Sequence, residues 1–144
     1  MMHWSNLITS MRKNLNPPVS VTILATIVLF ITSWFCIRTY STITNWKILM
    51  EFGTNPVYIL GAGVFWVLIG LWLFSIIGRR KPYTPQAGSV IAVLYILWYW
   101  FDRIIMQPSP APNGVFNLII SIFYLVVFII ILNMPASRSF FTEE

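Results

Sequence analysis

Four stretches of this chain are so long and so apolar that they constrain everything else in it. They are Val19 to Ile37 ("VSVTILATIVLFITSWFCI"), Val57 to Ile77 ("VYILGAGVFWVLIGLWLFSII"), Gly88 to Met106 ("GSVIAVLYILWYWFDRIIM") and Val115 to Leu132 ("VFNLIISIFYLVVFIIIL"). Each is close to the ~20 residues that cross a hydrocarbon core of about 30 Å. None shows the charged face that an amphipathic helix presents to water. Only 9% of the residues are charged and 58% are hydrophobic, whereas a soluble domain carries roughly 25% charged residues. Such a chain has too little polar surface to cover a water-soluble globule of this size.

The expected fold is therefore an all-α integral membrane protein, a four-transmembrane-helix antiparallel bundle. Its spans lie at about 19–37, 57–77, 88–106 and 115–132, inside one domain of residues 17–133. The first span exceeds the 7–15-residue core of a signal peptide and no A-x-A-like site follows it, so it reads as an uncleaved anchor. Ahead of it, Trp4, Leu7, Ile8, Met11 and Leu15 recur at helical spacing in residues 1–16. That pattern predicts a short N-terminal amphipathic helix in the membrane interface. Residues 134–144 read as a short tail.

Lys and Arg positions set orientation. Arg12, Lys13, Arg79, Arg80, Lys81 and Arg138 fall on one side of the expected membrane, against Arg38, Lys47 and Arg103 on the other. The positive-inside rule then places both termini in the cytoplasm, and the expected setting is a prokaryotic plasma membrane. Arg12, Lys13, Arg79, Arg80 and Lys81 are assigned to topology and to anionic lipid headgroups. The net charge of +5 follows from this bias and implies no nucleic-acid partner. Between spans one and two, Ile43, Trp46, Leu49 and Met50 suggest a short surface helix stopped by Gly53 and Pro56.

At 100° per residue, Tyr95, Tyr99, Asp102 and Met106 share one face of span three. Asn117, Ser121, Tyr124 and Phe128 do so on span four, and Thr22, Thr26, Ser33 and Cys36 on span one. Span two offers Gly63 and Gly70, one heptad apart. Polar and small residues in lipid normally turn toward other helices, so these stripes are expected to face inward. Trp66 and Trp72 are expected to face lipid or a partner. The candidate site is a polar cavity in the outer half of the bundle, formed by Tyr95, Tyr99, Asp102, Arg103, Asn117 and Ser121. Asp102 has three readings: an acceptor for Tyr99, Asn117 or Arg38 that sets helix register, a ligand, ion or proton site, or a simple interfacial cap. Arg103 either snorkels to phosphates or reaches another helix.

Much chemistry is missing from the spans. The sole histidine, His3, precedes them, and Cys36 is the sole cysteine. A bis-histidine haem, a histidine-rich metal site and a redox cysteine pair are therefore excluded. Ser33 and Ser121 have no histidine or lysine partner within the spans, so no nucleophile–base set appears. Small multidrug transporters share the helix count but rely on an acidic residue in the first span, which this chain lacks. Quinone-linked disulfide enzymes need cysteine pairs. With no catalytic residues, metal or cofactor expected, the leading reading is a non-enzymatic accessory, assembly or interaction subunit. Its partners would be the lipid bilayer and a membrane protein or a second copy. The alternative is a small transporter or ligand- or lipid-binding bundle built on the cavity around Asp102.

Overall fold

The computed structural model describes residues 17–106 and 112–142; the expected N-terminal amphipathic segment, with Arg12 and Lys13, lies outside them. The elements are α1 (Val19–Thr44), α2 (Trp46–Glu51), α3 (Pro56–Gly78), α4 (Thr84–Phe101) with a π-helical turn (Asp102–Met106), α5 (Gly114–Asn133) and α6 (Pro135–Thr142). Four of these, α1, α3, α4 with its π turn, and α5, are long and apolar enough to cross a membrane.

The boundaries differ from the expected spans for local reasons. α1 runs on past Ile37 through the polar "RTYSTIT", because Thr42 and Thr44 return their hydroxyls to carbonyls of the preceding turn. Such back-bonding lets threonine sit in a helix without an outside partner. α2 holds Trp46, Leu49 and Met50 of the expected short helix while Ile43 belongs to α1, and Gly53 takes φ +71° just beyond α2. α3 begins at Pro56, with Asn55 Oδ1 accepting from the amides of Val57 and Tyr58, a standard N-cap. α4 starts at Thr84, four residues before the expected Gly88, with Pro85 in its first turn. Proline is well suited there because its φ is already helical and its missing N–H is not needed.

The tightest helix pair is α1 with α3, followed by α4 with α5. Gly63 lies against Thr39 and Gly70 against Thr32. Two heptad-spaced threonines thus meet two heptad-spaced glycines in opposite chain order. Lacking a side chain, each glycine lets the helix backbones approach until the threonine oxygen takes the place an added Cβ would need. Gly88 plays the same part for Leu132, whose Cδ1 would lie 2.9 Å from an added Cβ.

The apolar core comprises Val21, Leu24, Val28, Leu73, Ile76, Ile77, Leu132 and Phe141. It sits at the end of the molecule that carries the Arg79–Lys81 turn. The expected tail is folded into it: α6 buries Phe141 and Ser137, and Ser137 Oγ lies 2.8 Å from Ser20 Oγ and 2.7 Å from the Ile131 carbonyl.

The span-one stripe is corrected by the structure. Thr22, Thr26, Ser33 and Cys36 are exposed, and α1 instead buries Val21, Leu24, Val28, Thr32, Phe35 and Thr42. Thr26 donates to the Thr22 carbonyl at 2.9 Å and Thr22 to Pro18 at 3.5 Å, so these hydroxyls need no partner helix. The inward face goes to the side chains that fill volume.

Candidate functional site

Opposite the apolar core, a polar and aromatic network joins α1, α3 and α4. At its base, Phe35, Trp66, Tyr95 and Trp98 form a box of rings with centroids 5.2–6.2 Å apart. The preferred edge-on and tilted arrangements of aromatic pairs recur within it. Trp66 is buried here, which overturns its expected place against lipid or a partner; Trp72 is exposed. The missed signal was spacing. Trp66 stands three residues after Gly63 and four before Gly70, on the face that meets α1.

One turn beyond the box, the charges begin. Trp98 Nε1 donates to the Tyr58 hydroxyl at 3.2 Å, and Tyr58 in turn reaches the Asp102 carboxylate. Arg38 Nη2 stands 3.6 Å from Asp102 Oδ2, and its guanidinium lies 5.6 Å from the centre of the Trp98 ring. Asp102 is buried; the Arg38 side chain keeps 30% of its exposure. A carboxylate at this depth requires a counter-charge and donors, and α1 and α3 supply both. Arg38, one of the expected donors, stands opposite it.

The π turn decides what happens next. In an unbroken α-helix Asp102 and Arg103 diverge by 100°, and Met106 returns to the Asp102 face. The wider i→i+5 turn lets both charged residues be buried while Met106 turns outward. Arg103 therefore reaches another helix, its Nη2 donating to Asn113 Oδ1 at 2.8 Å. Asn117 Nδ2 donates to the same oxygen at 3.2 Å. Asn113 precedes α5 but makes no side-chain cap; its carbonyl oxygen is committed to Arg103 and Asn117.

The six candidate residues thus divide. Tyr95 belongs to the aromatic box and Asp102 to the Arg38–Tyr58 network. Arg103 and Asn117 meet at Asn113, Tyr99 stands edge-on to Trp100, and Ser121 is buried on α5. None of the six lines the groove of about 500 Å³ at this end, which Trp34, Arg38, Thr42, Asn45, Leu49 and Ile59 bound. Of the basic set, Arg79, Arg80 and Lys81 form the α3–α4 turn at the opposite end.

These features define the class: a protein all-helical over its described residues, with four helices suited to a membrane and buried charges, Asp102 and Arg103, that are paired within the chain. Comparison with family models, with curated proteins and with solved structures finds no match for the chain. The functional reading therefore rests on the geometry alone.

Proposed function

We propose that the protein is a non-enzymatic accessory, assembly or interaction subunit, held in a prokaryotic plasma membrane as a four-helix antiparallel bundle with both termini cytoplasmic. The observation that carries this reading is the closure of the polar network. Asp102 is met by Arg38 and Tyr58, and Arg103 by Asn113, so the groups that a transport site would present are spent on joining helices. Outward surface supports it too. Only 11% of the most apolar window of α4, and the same share of α5, is buried within the chain. On α5, Phe116, Phe123 and Tyr124 all face outward. Large apolar faces bearing aromatic side chains suit docking to another membrane helix as well as to lipid.

A second reading, a ligand- or lipid-binding bundle, is favoured by the groove beside Arg38, whose volume falls within the ~300–1,000 Å³ of small-molecule sites. Purification of the tagged protein from its native membrane in mild detergent separates the two. A stoichiometric membrane-protein partner, lost on Phe123→Ala/Tyr124→Ala, supports the subunit reading. A protein that purifies alone with a small molecule retained, and loses it on Arg38→Gln, supports the groove.

A further inference from the structure

At the end of the molecule that carries the Arg79–Lys81 turn, a half-open groove of about 320 Å³ runs between the start of α1, the end of α3 and α6. Val21, Ala25, Phe74, Ile77 and Phe140 give it apolar walls, and Pro17, the first described residue, stands in its lining. Charge does not select what fills it. Arg79, Arg80, Lys81 and Arg138 lie at this end, but Glu143 and Glu144 follow α6 in the sequence. The walls call for an apolar occupant.

The chain itself brings one to the groove's edge. Pro18 takes φ −59° and ψ 152°, and its carbonyl accepts from the amides of Val21 and Thr22. It also steers Pro17, the residue before it, away from helical geometry. The backbone therefore leaves the axis of α1 at Pro17, inside the groove lining. Leu15 precedes Pro17 by two residues and can stand no farther from it than about 7 Å, the reach of two extended residues. Further upstream, Met11, Ile8, Leu7 and Trp4 share the face of Leu15 at 100° per residue, and Lys13 falls on the opposite one.

We propose that this groove is the dock of the chain's own N-terminal segment, residues 4–15, with Leu15 and Met11 seated against Phe74 and Phe140 and Lys13 turned to water. Seated there, the segment ties the start of α1 to α3 and to α6. The tether favours it over other occupants: a lipid chain entering the groove would have to share its mouth with Leu15, which the covalent link keeps nearby.

The test is disulfide cross-linking in the full chain, carrying Cys36→Ser and reconstituted into phosphatidylcholine vesicles, with copper phenanthroline as oxidant. Met11→Cys is paired with Thr22→Cys, an exposed position of the groove lining, and the pair is expected to close within one chain. Lys13→Cys with Thr22→Cys is nearer in sequence but faces away, and should close at least roughly tenfold more slowly because disulfide geometry is strict. Leu15→Asn should slow the Met11–Thr22 pair by roughly tenfold, the value of one buried leucine. Ala25→Phe, which takes up space in the groove, should slow it as well. Gly78→Leu, at a lining position where nothing lies within 4 Å of an added Cβ, serves if Ala25→Phe does not fold. Equal rates for the Met11 and Lys13 pairs, as a segment lying in lipid would give, would overturn the dock. So would an unchanged rate in Leu15→Asn, or cross-linked dimers in place of closed monomers, which would make a second copy the occupant.

Discussion

Arg38 on α1 and Asp102 at the end of α4 face each other with Nη2 and Oδ2 3.6 Å apart, and the carboxylate is the more deeply buried of the two. The contact ties the first and third spans together at one level, and through Tyr58 and Trp98 it involves the second. Removing either charge leaves the other at a depth where solvation is poor. Since Arg38 is partly exposed, it can recover some solvation by bending toward the interface, so the penalty is smaller than for a fully buried pair. Asp102→Asn and Arg38→Gln are each expected to cost about 1–2 kcal/mol. Asp102→Leu should cost more, because Tyr58 and Arg38 lose their acceptor altogether. The double variant Arg38→Gln/Asp102→Asn should cost less than the sum, with a coupling near 1 kcal/mol. Reversible unfolding in one detergent measures all four, and strict additivity would mean that the pair contributes nothing.

The glycines facing α1 are predicted to be unequal. At Gly70 an added methyl meets Thr32, whose Cβ and Cγ2 lie 3.1 and 3.3 Å away and whose hydroxyl is held by the Val28 carbonyl at 2.7 Å. Rotating that side chain gives no relief. At Gly63 the oxygen of Thr39 has no hydrogen-bond partner and its Cβ lies 3.5 Å away, so the side chain is free to turn. Gly70→Ala should therefore cost about 1–3 kcal/mol, and Gly63→Ala less. Gly61→Ala, with nothing near it, should be neutral or gain a few tenths of a kcal/mol from helix propensity. Thermal unfolding of the three variants checks the order; equal effects at Gly61 and Gly70 would contradict the tight α1–α3 crossing.

Trp66 and Trp72 are the same residue type on one helix, and the structure assigns them opposite surroundings, 6% and 48% exposed. Trp66→Ala opens a cavity between Phe35, Tyr95 and Trp98 and is expected to cost about 3–5 kcal/mol. Trp72→Ala should stay within about 1 kcal/mol. Trp66→Phe should be mild for a buried site, because the indole N–H makes no hydrogen bond. Brominated lipids give an independent reading: they should quench Trp72 fluorescence strongly and Trp66 weakly.

Topology is tested by single cysteines in a Cys36→Ser background. Positions Ser5 and Thr142 are expected to resist an impermeant thiol reagent in intact cells, and Ser109 to react. Labelling at both termini would invert the protein and place the Arg38–Asp102 network on the cytoplasmic side.

By itself the sequence determined what composition and period can specify. Lipid admits long apolar helices, so runs such as Val57–Ile77 and Val115–Leu132 are visible without coordinates, as is the surface helix between Trp46 and Gly53. Gly63 and Gly70 declare a close helix crossing because a missing side chain has few other uses at heptad spacing. Only the tertiary structure decided which face of each helix turned inward. In lipid, hydrophobicity no longer distinguishes inside from outside, and side-chain volume and local hydrogen bonding take over. Thr22 and Thr26 satisfy their hydroxyls within α1 and stay outside, whereas Trp66 fills the space beside two glycines and goes in. The burial of Arg103 next to Asp102 depended on a π turn, whose wider spacing no α-helical count of the residues reveals. The docking of Phe141 and Ser137 likewise needed a surface on α1 and α5 that exists only once those helices have packed.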